Sequence, residues 1–185
     1  MLLAQTDMDR PWFETALPPV LAAQPDLHAR LSRPGARIVD VGAARAGRHS
    51  RWPGRTRRPR SSAWTSMRRP WNWGSRLRVR PRHASPVEVL AATRAALAPG
   101  GIMIVKDEAT AETFAPDGHA IERLPCGSSL TICLPDGLSH RSSAGTGTVM
   151  RPETLRRSAF EAGFGSADIL PTGEFGFWRF YRLSG

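Results

Sequence analysis

The stretch from Ala44 to Arg82 constrains this chain more than any other feature. It holds thirteen arginines, no lysine, no Asp or Glu, and four of the six tryptophans: Trp52, Trp64, Trp71 and Trp73. Neither a helical nor a strand period runs through it, and few aliphatic side chains are available to bury. Such a segment cannot offset its own ordering entropy, so residues 43–85 are expected to be irregular or disordered. The net charge of +10 also belongs here: subtracting the thirteen arginines leaves −3 for the rest of the chain. A protein basic throughout would point to nucleic acid. Charge confined to one stretch, in no recognisable binding module, does not. Nucleic-acid binding through arginines on phosphates and tryptophans on bases stays as the competing class, and a steep salt slope in filter binding would mark it.

The flanks read as ordinary globular sequence, and 185 residues suffice for one domain with a real core. In residues 1–42, Trp12 to Leu21 reads as helical until Pro18-Pro19 interrupts it. Pro25 to Leu31 gives a second short helix, Pro34-Gly35 breaks it, and Arg37 to Val41 follows as a buried strand ending at Gly42. In residues 86–185, Pro86 suits a helix first turn, with Val87, Leu90, Ala91 and Leu97 as its apolar stripe. Pro99-Gly100-Gly101 stops that helix, and Ile102 to Val105 reads as a central strand covered on both faces. Ile121 to Leu134 is expected to be partly helical. Pro152 to Ala162 reads as a helix capped by Gly163, and Ala167–Leu170 and Phe175–Leu183 as strands. The alternation of strand and helix makes the fold α/β.

No apolar run is long enough to span a membrane. Met1 to Phe13 carries Asp7 and Asp9 and no signal-peptide core, so a cytoplasmic location is expected. Cys126 and Cys133 fit no zinc or disulfide framework and read as reduced thiols, and no metal site is expected.

Three signals combine into a resemblance. Asp40-Val41-Gly42 ends a strand, where a Rossmann-like fold turns glycines and helix amides toward a nucleotide. Leu97-Ala98-Pro99-Gly100-Gly101 precedes an apolar strand, and Glu161-Ala162-Gly163-Phe164 precedes another. With the run Ser143 to Pro152 and the ending Phe177 to Leu183, these resemble class I, Rossmann-like S-adenosylmethionine-dependent methyltransferases. The resemblance covers roughly residues 7–42 and 86–183. It implies a single methyltransferase-like domain: N-terminal helices and first strand in 1–42, an irregular Arg-rich insert in 43–85, and the C-terminal half of the sheet in 86–185. It also implies S-adenosylmethionine as cofactor and a small-molecule methyl acceptor.

The departures bear on binding. The family has Asp-x-Gly-x-Gly-x-Gly after its first strand; here Ala44 and Ala46 stand where two glycines are expected, beside the retained Asp40 and Gly42. Glycine there lets the backbone approach the cofactor without a Cβ in the way. The family's second strand ends in an acid that holds the ribose hydroxyls, yet no acid occurs between Asp40 and Glu88. His83 is the one candidate general base, because some relatives have a histidine before the corresponding helix, although Ala84-Ser85 departs from their pattern. Asp107 and Glu108 are expected in a solvated acidic loop where substrate-side loops begin.

The genetic code offers a cause. Read from the third base of each codon, Trp64-Thr65 forces an Asp, Trp71-Asn72 a Glu, Asn72-Trp73 a Leu and Trp73-Gly74 a Gly. The shifted text is compatible with Val-Asp-Ile-Asp-Glu-Ala-Ala-Val-Glu-Leu-Gly, a strand ending in an acid and then a helix. One base lost after the Gly42 codon likewise turns Gly-Cys-Gly-Ala-Gly-Trp into the observed Gly42-Ala43-Ala44-Arg45-Ala46-Gly47. The chain therefore reads as a frame-disrupted, internally deleted copy, either an impaired enzyme or a remnant with no activity. Stop codons in the shifted frame of the coding DNA would end that explanation.

Overall fold

Prolines set where the helices start. The computed structural model describes residues 17–34, 36, 85–116, 118, 120–139, 143–147, 149–171 and 178–185. They fall in two compact units, Met1–Leu77 and Arg78–Gly185. In the first, α1 (Leu17–Ala22) contains Pro18-Pro19 in its first turn. The prolines thus open the helix rather than interrupt it, since first-turn N–H groups have no intrahelical acceptor to lose. In α2 (Pro25–Leu31), Pro25 again opens the helix, Asp26 lies in the first turn and Arg30 in the last, which suits the helix dipole. Leu27 is its buried residue. The expected strand Arg37–Val41 and residues 43–84 lie outside the described residues.

In the second unit, α3 (Pro86–Ala96) begins with a capping arrangement: the Ser85 hydroxyl accepts from the Glu88 N–H at 3.4 Å. Leu90 is buried, and Val87, Ala91 and Leu97 pack against the same core, as their spacing predicts. Ala98–Gly101 then forms a tight turn, with the Gly101 N–H on the Ala98 carbonyl at 2.7 Å. Gly100 sits at φ 68°, the third position of a type II turn.

Next come β1 (Met103–Glu108), α4 (Ala120–Ser128), a π-helical turn (Ser129–Cys133), α5 (Leu134–Ser139), α6 (Pro152–Glu161), β2 (Ser166–Ile169) and β3 (Trp178–Ser184). The described strands form one sheet in the order β1-β3-β2. β3 pairs antiparallel with both neighbours, Val105 opposite Tyr181 and Ala167 opposite Leu183. β1 and β2 therefore run parallel to each other. The fold is mixed α/β.

Two strand expectations need correction. β1 is not central among the described strands: it pairs only with β3, and most of its residues are half-buried. The central place goes to β3, whose Phe180 is buried from one face and whose Tyr181 and Leu183 are buried from the other. β1 also runs three residues past Val105. Lys106-Asp107-Glu108 has poor strand propensity, but β3 supplies partners for all three, and the Lys106 ammonium lies 3.4 Å from the centre of the Trp178 ring.

Helix α6 lays Leu155 and Ala159 on the face of the sheet carrying Tyr181, Leu183 and Ala167, together with Leu90 and Phe164. Its C-terminus is closed by a Schellman motif: Phe164 N–H bonds the Ala159 carbonyl and Gly163 N–H the Phe160 carbonyl. Gly163 sits at φ 90°, and a Cβ there would lie 3.4 Å from the Arg94 guanidinium. Gly163→Ala is expected to cost about 1–2 kcal/mol, because an L side chain is strained in this region even where space allows it. Urea denaturation followed by circular dichroism checks this; an unshifted midpoint would contradict it.

Candidate functional site

The residues singled out for cofactor binding, Asp40, Gly42, Ala44 and Ala46, and the candidate base His83 all lie outside the described residues. The structure draws attention to a different place, the C-terminal end of β1. Asp107 and Glu108 do not form a solvated loop there. Both belong to β1, and Asp107 is 9 % exposed. Strand pairing is the reason: once Asp107 is opposite Arg179, the alternation of the strand turns it toward the same face as Val105 and Tyr181.

Thr110 follows immediately. Its N–H bonds the Glu108 carbonyl at 2.9 Å, a tight turn that folds it back, and it is 1 % exposed. Its carbonyl accepts from the Arg179 guanidinium at 2.7 Å. Three polar atoms are left buried in this corner with no hydrogen-bond partner: Asp107 Oδ2, Thr110 Oγ1 and the Tyr181 hydroxyl. Each such group costs about 1–3 kcal/mol.

Charge follows burial. Loss of water raises the Asp107 carboxyl from its ordinary 3.8 to about 8, the neighbouring Glu108 carboxyl adds to the rise, and Lys106 opposes it weakly. Burial thus favours the protonated form of the Asp107 carboxyl well above the usual carboxylate range. Burial likewise pushes the Tyr181 hydroxyl up, with Arg179 opposing and the Asp107 charge adding to the rise. The corner thus buries a carboxyl, a phenol and an alcohol near one guanidinium. Perturbed acids of this kind concentrate at functional sites.

The chain after β1 is held by further arginines. Arg151 donates to the Ala111 carbonyl at 2.6 Å and pairs with Glu122 of α4 at 2.9 Å, and Arg156 of α6 lies 3.7 Å from Glu112. Among the described residues no group of three His, Cys, Asp or Glu is placed to hold a metal ion, and no helix is long and apolar enough to cross a membrane. Sequence reasoning missed Thr110, Arg179 and Tyr181. The one available signal was the alternation Arg179-x-Tyr181-x-Leu183, which becomes informative only with the register to β1.

The chain matches no protein-family model, and no curated protein matches it.

Proposed function

We propose that this chain carries the C-terminal half of a class I methyltransferase fold and no longer binds S-adenosylmethionine. The sheet is the observation that carries the first part: β1 and β2 run parallel, and the last strand of the chain enters antiparallel between them. The Pro99-Gly100-Gly101 turn precedes β1 and Gly163-Phe164 precedes β2, in the order that the resemblance implies.

A methyltransferase of this class works chiefly by alignment, holding the sulfonium methyl in line with a nucleophile on a small acceptor. The residues of this chain that would hold the cofactor are Asp40 and Gly42, with Ala44 and Ala46 adding Cβ atoms beside it. The ribose carboxylate has no counterpart between Asp40 and Glu88. A charge-assisted hydrogen bond of that kind contributes about 1.5–3 kcal/mol, so its loss alone weakens binding by roughly ten- to more than a hundredfold.

Isothermal titration calorimetry with S-adenosylmethionine is expected to show no binding up to millimolar ligand. A dissociation constant in the micromolar range would overturn the loss of binding. A methyl-transfer product found with a small acceptor would overturn it as well.

A further inference from the structure

We propose that Asp107, Arg179 and Thr110 form a proton-operated latch, in which loss of the Asp107 proton draws the Arg179 guanidinium from the Thr110 carbonyl to the Asp107 carboxylate and frees the segment after β1.

The geometry supplies both positions of the arginine. Arg179 stands directly opposite Asp107 in the β1–β3 register, on the same face of the sheet. Its guanidinium is turned to the Thr110 carbonyl at 2.7 Å, and Asp107 Oδ2 has no partner. Directly paired residues in an antiparallel sheet have Cα atoms only about 4.5–5.5 Å apart, so a rotamer change suffices for the exchange. A neutral carboxyl offers the guanidinium little. A buried carboxylate offers it a charge-assisted pair, which outweighs a bond to a neutral carbonyl.

The other charged and titratable groups nearby are compatible with this exchange. On β1, Lys106 is engaged over the Trp178 ring, and Glu108 raises rather than relieves the cost of the Asp107 charge. On β3, the Tyr181 phenol faces the same corner and is acted on by Asp107 and Arg179. On α6, Arg156 acts on Tyr181 and is also near Glu112. After Arg179 lets go, the segment keeps its contacts from Arg151 to Ala111 and from Arg156 to Glu112, the second of which is exposed and weak. The Ala111 N–H also stays on the Glu122 carboxylate, so the release is local to Ala109 and Thr110, and it should follow the Asp107 proton, which burial retains above the usual carboxylate range.

Hydrogen–deuterium exchange on the full chain tests this at pH 6.5 and 9.5, with rates corrected for the chemical dependence on pH. The Thr110 amide is expected to exchange at least tenfold faster at the higher pH, while the Ala111 amide and the β3 amides stay protected. In Asp107→Asn the two pH values should agree within about twofold. In Arg179→Gln, where the latch has no bolt, exchange should be fast at both. Equal wild-type protection at the two pH values would overturn the proposal, as would a tenfold pH effect that survives in either variant. Should Asp107→Asn not fold, the wild type and Arg179→Gln together still decide.

Discussion

Leu155→Ala is expected to remove about 3–4 kcal/mol from the C-terminal unit, the largest loss of any single truncation on α6. Leu155 is 1 % exposed and belongs to the core cluster with Leu90, Ala159, Phe164, Tyr181 and Leu183. Leucine-to-alanine changes at such sites cost about 2.7–5 kcal/mol, the higher values where the surroundings cannot collapse into the cavity. Collapse is restricted here at both ends of the helix. Pro152 opens α6 and is itself almost fully buried, and the Gly163-Phe164 Schellman closure anchors the other end through Phe164, 3 % exposed. α6 can therefore neither slide nor tilt far to fill the space. With total stability of a small domain at about 5–15 kcal/mol, the loss should shift the urea midpoint by roughly 1–3 M. Phe160→Ala is the control: Phe160 lies on the same helix but is 55 % exposed, and its truncation should cost under about 0.5 kcal/mol. Equal midpoints for the two variants would mean that α6 does not pack as described.

Much of this core was readable beforehand, because the punctuation is local. Pro86, Pro99-Gly100-Gly101, Pro152 and Gly163 each act on the few residues beside them, and the helices and turns between them were expected where they occur. What failed was long-range. Lys106-Asp107-Glu108 looks like a loop to any rule based on propensity, and only pairing with Trp178 to Phe180 makes it strand. The corner at the end of β1 is less legible still, since the Arg179 to Thr110 contact joins residues 69 apart in sequence. Neither residue stands in a motif. Pro18-Pro19 was misjudged for a third reason: proline breaks a helix interior but opens a first turn, and the sequence does not say in advance which of these a given proline occupies. The cofactor positions Asp40, Gly42, Ala44 and Ala46 and the candidate base His83 lie outside the described residues, so sequencing of the coding DNA and calorimetry test them instead.

The stability of the C-terminal unit should fall as pH rises from about 4 to about 8, and Asp107→Asn should remove that fall. The folded state holds the Asp107 proton up to about 8, against an ordinary value of 3.8. Below the lower value both states are protonated, and nothing is lost. Between the two values the unfolded chain gives up a proton that the folded chain keeps, so unfolding becomes easier by about 1.4 kcal/mol per pH unit for this one group. Above the higher value both are ionised and the loss levels off. Asparagine is uncharged throughout, so the variant carries no proton for the two states to hold differently. The variant should thus match the wild type near pH 4 and exceed it by about 4 kcal/mol at pH 7, read from urea midpoints at each pH. Parallel curves for the two proteins across that range would show that Asp107 is ionised in the fold. Tyr181→Phe separates the acid from its neighbour. It deletes a hydroxyl without a partner, so it should leave the pH dependence in place, whereas a flat curve in that variant would show that the phenol, rather than burial, keeps the proton on Asp107.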